Sequence, residues 1–292
     1  MRKFILFSCL FLYTLTYSQN SDYEFYGGLK LNGKDDQIVT YRLVFSESKG
    51  VIKGYSISDI GGEHETKNSI SGTYNKKSTT LIFKEDDIIY TKSKMKKSSF
   101  CYVNFNGKVN INANNPKIND DFVGLYLNKS KCIVGKIQVV GIKKIQKLVN
   151  KVNNKIQKSN KVDEKTKMDV DPVKVLDTIK MNVLRNSQNL YVYTKDTKVS
   201  FEVRDLGVED GDMINVYVNK KLVLENYIVK YKPKIIEIEI GEGITSIEVE
   251  ALNEGEVAPN TADLIIKDSK NELKTLAKLK NGQKTSIFIE KQ

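Results

Sequence analysis

The residues best placed to do chemistry are three aspartates in one acidic stretch, Asp205-Leu206-Gly207-Val208-Glu209-Asp210-Gly211-Asp212. Carboxylates two apart on a Gly-containing turn can converge their oxygens on a hard cation. Asp205, Asp210 and Asp212, with a backbone carbonyl, would begin a Ca²⁺ shell. The spacing departs from an EF-hand, which continues to a bidentate Glu that is missing here. The competing reading is an acidic turn whose side chains accept backbone N–H bonds while Gly211 supplies a positive φ. Calcium is the one cofactor suggested. His64, the single histidine, lies in Gly61-Gly62-Glu63-His64-Glu65 with no nucleophile in a recognisable motif, so a triad has nothing to stand on. The Gly27-Gly28 and Gly61-Gly62 pairs lack the strand-then-helix setting of a phosphate loop. Paired carboxylates of a glycoside-cleaving type are open to a chain with 36 acidic residues, although no pair is marked out.

Compartment constrains this chemistry. Arg2 and Lys3 precede an almost wholly apolar run at residues 4–15, and Thr16-Tyr17-Ser18 ends in small residues, the order of a cleavable secretory signal spanning 1–18. The run is about a dozen residues, short of the roughly 20 that a membrane-spanning helix needs. Processing removes Cys9 and leaves Cys101 and Cys132, either a disulfide or two buried free thiols in an oxidising compartment. The formal charge of +11 is concentrated between residues 143 and 167, where nine lysines stand against Asp163 and Glu164. The basic character is therefore local.

The elements that must position these residues are mostly strands. Between residues 19 and 141, short runs alternate with period two and are separated by turn signals such as Asn32-Gly33, Lys49-Gly50 and Asn106-Gly107. Strands are expected at 25–31, 38–45, 50–58, 67–74, 79–84, 88–92, 100–105, 108–111, 122–127 and 132–140. An antiparallel meander, closed as a barrel or folded as a sandwich, is the economical topology. Such a barrel could enclose a small ligand, with Tyr23, Phe25, Tyr26, Tyr41, Phe45, Tyr55 and Tyr74 either lining it or forming ordinary core. At Gly141 the period changes. Ile142, Ile145, Leu148, Val149, Val152 and Ile156 share one face of a basic helix, and a polar linker carries the segment 142–172 to its end. The helix either docks on an anionic envelope surface through Lys143, Lys147, Lys151 and Lys155 or lays its stripe on the preceding domain. The narrow stripe without aromatics favours the second, and nucleic acid is disfavoured. From 173 to 292 a second β domain is expected, with strands at 190–193, 199–203, 213–218, 221–224, 234–240, 244–251, 261–267 and 285–290, spacing that suits a sandwich.

Five motifs in this second domain occur in order: residues 199–205, Glu209-Asp210-Gly211-Asp212-Met213-Ile214, Val216-Tyr217-Val218-Asn219, Leu224-Glu225-Asn226-Tyr227, and Asn253-Glu254-Gly255 with Pro259-Asn260-Thr261-Ala262. Together they resemble a recurrent β-sandwich domain at the C-termini of exported Gram-negative bacterial proteins. The resemblance implies export and an Ig-like sandwich, without an activity. Lys220 and Ala258 depart from its pattern, and Lys220, standing where Gly is usual, implies a different turn after Asn219. The resulting expectation is a secreted, periplasmic or outer-membrane-associated protein, mostly β, that binds or builds rather than catalyses. A carboxylate hydrolase and a small-ligand carrier are the alternatives.

Overall fold

A computed structural model describes residues 23–33, 37–159 and 181–292; the expected signal segment and most of the expected linker lie outside them. Eight strands make up the first half: β1 (Tyr23–Leu31), β2 (Ile38–Ser48), β3 (Val51–Ser58), β4 (Thr66–Asn75), β5 (Thr80–Thr91), β6 (Tyr102–Lys108), β7 (Lys117–Leu125) and β8 (Lys131–Gly141). Each pairs antiparallel with the next, and β8 returns to β1, so the sheet closes into a barrel. Lys49 and Gly50 form the tight link between β2 and β3 with φ of 52° and 82°, as their turn signal predicts.

Period-two burial fills the barrel. Phe25, Tyr41, Phe45, Phe83, Phe105 and Phe122 point inward with Leu43, Ile52, Leu81 and Ile137. The stacked pairs Phe25–Phe45 and Phe83–Phe105 have ring centroids 6.0 Å and 5.3 Å apart. Strands this tightly coiled leave no room for a side chain at some inward positions: a Cβ on Gly27, Gly54 or Gly72 would run into the carbonyl oxygen of Gln138, Val44 or Ile82. Several expected boundaries differ: β7 begins earlier than expected, and Asn106-Gly107 lies inside β6 instead of forming a turn. The acidic run Glu85-Asp86-Asp87 does not break β5, because a register shift against β4 between Ser69 and Ile70 lets the strand continue with Glu85 turned inward. Residues 109–111 leave the ladder after β6 and plug the barrel with Val109 and Ile111.

Cys101 is disulfide-bonded to Cys132 with 6.0 Å between Cα atoms. The bond crosses β7 at Gly124, where any Cβ would collide with Cys101 Sγ. β8 runs directly into α1 (Ile142–Gln157), whose principal contacts are with β1 and β8. The helix has the expected amphipathic stripe, yet none of its residues is buried, and Leu148 and Val152 are 50% and 55% exposed. With no loop between β8 and α1, the chain has no turn in which to fold the helix back over the barrel wall.

The second half comprises β9 (Asn182–Leu184), β10 (Asn189–Thr194), β11 (Lys198–Arg204), β12 (Met213–Val218), β13 (Lys221–Ile228), β14 (Lys234–Glu239), β15 (Ile244–Ala251), β16 (Asn260–Lys267), β17 (Glu272–Leu279) and β18 (Lys284–Lys291). The layers β13-β12-β15-β18-β10 and β14-β11-β16-β17-β9 enclose Phe201, Ile214, Val216, Ile247, Val249, Leu264, Ile287 and Ile289. β9 and β17 were not expected. β17 reads Glu-Leu-Lys-Thr-Leu-Ala-Lys-Leu, rich in helix formers, but Leu273, Thr275, Ala277 and Leu279 alternate inward. The turn after Asn219 keeps positive φ at both central residues, 49° at Asn219 and 67° at Lys220, the φ signs of a type I′ turn. Lys220 therefore adopts the left-handed conformation instead of forcing another turn type.

The two halves join edge to edge. β10 pairs with the end of β5, matching Tyr191 to Thr91 and Val192 to Tyr90. Tyr90, a barrel residue, is buried in the second core. Its hydroxyl donates to Glu65 Oε1 at 2.9 Å, and Lys92 Nζ, 3.7 Å from Glu65 Oε2, donates to the Val183 carbonyl at 2.9 Å.

The disulfide closes a 31-residue loop, which by loop entropy contributes roughly 3–4 kcal/mol. Replacing both cysteines by Ala should lower the unfolding free energy by about that much in urea titrations, and adding reductant should then change nothing further.

Candidate functional site

One mouth of the barrel holds a cavity of about 190 Å³. Leu29, Leu31, Val39, Phe122 and Ile133 form its apolar wall, and Asn68 and Glu85 supply its innermost polar groups. Each reaches the interior by strand alternation: Glu85 follows Leu81 and Phe83 along β5, and Asn68 precedes Ile70 along β4. The volume is below the roughly 300 Å³ common for drug-sized ligands and close to the ~150 Å³ of an apolar cavity that takes benzene.

Glu85 is buried but well supplied with donors. Tyr41 Oη donates to Oε1 at 2.9 Å, Ser56 Oγ to Oε1 at 2.5 Å and the Val103 N–H to Oε2 at 2.7 Å. Burial pushes its carboxyl upward, and the bonds from Ser56, Val103, Tyr41 and Asn68 pull it back only in part. Asn68 keeps one atom over: its Oδ1 is buried and accepts nothing from the protein. Among the described residues Glu85 is the one carboxylate lining the cavity. Both residues went unnoticed in the sequence. Glu85 sits in an acidic run that reads as a turn, although its i, i+2 relation to Leu81 and Phe83 was the available signal.

Among the expected lining aromatics, Phe25, Tyr41, Phe45 and Tyr74 face the interior and Tyr23 packs against its rim. Tyr26 and Tyr55 lie on the outer wall, with the Arg42 guanidinium 5.2 Å and 5.7 Å from their ring centres. There Lys67 covers Tyr55, and burial, with Arg42 nearby, pushes its amine down to about 8.

The acidic stretch forms a second polar centre at one end of the other half. Asp205 ends β11, Asp212 leads into β12, and both are buried, at 2% and 1% exposure. Asp205 Oδ1 accepts the Gly207 N–H at 2.6 Å, Asp210 Oδ2 the Val257 N–H at 2.9 Å and Asp212 Oδ2 the Thr261 N–H at 2.6 Å. The two motifs of the sequence thus interlock, and Asn253 adds to the joint by accepting the Met213 N–H and donating to the Gly211 carbonyl. Burial raises the carboxyl groups of Asp205 and Asp212, each further raised by Asp210. Among the described residues, no three His, Cys, Asp or Glu side chains stand as a closed metal cluster.

His64 is exposed, with its backbone N–H bonded to Asp59 Oδ2 at 2.9 Å. Lys143, Lys147, Lys151 and Lys155 are exposed along α1. No family model, curated protein or solved structure matches the chain.

Because the folded-state pKa of Glu85 lies above its unfolded value of 4.5, its contribution to stability is present below that value and lost as pH rises through the folded pKa. Urea midpoints from about pH 4 to about pH 8 should show the wild type losing stability relative to Glu85→Gln as pH rises. A difference that stays flat would mean that Glu85 keeps one protonation state throughout.

Proposed function

We propose that this chain is an exported, noncatalytic binding protein whose barrel mouth takes a small, mainly apolar ligand carrying one hydrogen-bond donor. The observation that carries the reading is the buried Asn68 Oδ1, left without a protein donor beside a cavity walled by Leu29, Leu31, Val39, Phe122 and Ile133. An unpaired buried acceptor costs about 1–3 kcal/mol, which a ligand hydroxyl or N–H would recover. The volume suits a ligand of about one or two small rings. Catalysis has less support, since Glu85, the one carboxyl at the mouth among the described residues, already accepts three hydrogen bonds. Export fits the disulfide and the signal-like N-terminus. No helix among the described residues is long and apolar enough to cross a membrane. The second half, two facing sheets built around the motifs of its sequence, we read as an Ig-like sandwich that presents the barrel.

Saturation-transfer NMR with phenol, indole and toluene tests this. Phenol or indole should bind and toluene more weakly, Asn68→Leu should abolish that preference, and Val39→Trp should block all three. Binding that ignores both substitutions, or no binding by any probe, would remove the reading.

A second reading is favoured by α1, whose apolar stripe is not buried while its lysines face solvent. The helix would lie on an anionic envelope surface. The full chain should co-sediment with vesicles rich in anionic lipid at low salt and dissociate at high salt, and replacing Lys143, Lys147, Lys151 and Lys155 by Gln should abolish the effect.

A further inference from the structure

We propose that the joint between residues 205–212 and residues 253–261 is a divalent-cation site, with Asp205, Asp210 and Asp212 as its carboxylate ligands and Ca²⁺ as the cation its donors suit. Three oxygens carry this: Asp205 Oδ2, Asp210 Oδ1 and Asp212 Oδ1 are all buried, and none has a hydrogen-bond partner. In each residue the other oxygen is held by a backbone N–H, from Gly207, Val257 and Thr261 respectively. One oxygen per carboxylate fixes the side chain and the second is left over, which is how an anchored ligand is built.

Asp205 and Asp212 are buried, and the Asp210 carboxylate is held at the same joint by the Val257 N–H. Burying carboxylates together without a counter-charge is costly, and the chain must neutralise them with protons or with a metal. Backbone geometry favours the metal. Gly211 and Gly255 take φ of 87° and 60°, and a Cβ at Gly255 would approach Asp210 Oδ1 to 2.6 Å, so the second loop is shaped to hold that carboxylate in place. Among the described residues these side chains do not stand as a closed cluster, so binding would draw the three oxygens together. An all-oxygen donor set supplied by irregular loops suits Ca²⁺, which accepts variable geometry, better than Mg²⁺, which demands an octahedron, or Zn²⁺, which prefers nitrogen and sulfur.

The test uses the full chain freed of metal with EDTA at neutral pH. Adding millimolar CaCl₂ should raise the melting temperature by several degrees, MgCl₂ should do so far less, and calorimetry should give saturable heat for one site. Asp205→Asn and Asp212→Asn should each weaken binding by at least about tenfold. Should either variant fail to fold, Tb³⁺ provides the second measurement. Tyrosine-sensitised Tb³⁺ luminescence should appear in the wild type, since Tyr231 donates to the Gly207 carbonyl at 3.2 Å, and Ca²⁺ should quench it competitively. Absence of any Ca²⁺-dependent shift, heat or Tb³⁺ displacement would overturn the proposal, as would unchanged binding in folded Asn variants. Stabilisation by acid alone, with no response to Ca²⁺, would assign neutralisation to protons and overturn it equally.

Discussion

The ladder between β8 and β1 is the interaction on which the first half depends. It turns an open meander into a ring, and a ring of eight strands has an interior just wide enough for side chains or one small ligand. From that follow the inward glycines at positions 27, 54 and 72, where neighbouring backbones press together, and the aromatic stacks that fill one end. The cavity walled by Leu29, Leu31 and Val39 lies toward the opposite mouth. The cavity is thus a by-product of closure, and its chemistry is set by whichever residues the alternation happens to bring there.

Buried carboxylates are treated differently at the barrel mouth and at the 205–212 joint. Glu85 receives three hydrogen bonds on two oxygens and is a finished network, the arrangement in which a buried polar group rigidifies its surroundings. The aspartates around the 205–212 loop receive one backbone bond each and retain a free oxygen. Similar burial, differently satisfied, separates a structural acid from one still short of a partner.

Much of this was legible in the residues. Alternation located most strands, and Asn/Gly turn signals located several of the connections, because burial of one face per strand leaves a strong imprint. The acidic stretch and the Asn253–Ala262 motif stood out as composition, and the structure brings them to one joint. What could not be read was long-range. Only the barrel's closure makes Glu85 an interior residue, and only packing makes a strand of β17, whose Leu, Lys and Ala content suits a helix. Asn68 is an unremarked polar residue until its neighbours across β5 are known. The burial of Tyr90 in the other half's core depends on an edge pairing that no local pattern announces.

That edge pairing ties two places together. Thr66 lines the cavity and shares a 2.7 Å hydroxyl contact with Thr91, and Thr91 is the residue that meets Tyr191 of the second half. The rim of the mouth and the seam between the halves are therefore one strip of backbone. A substitution at either threonine thus touches the rim and the seam at once.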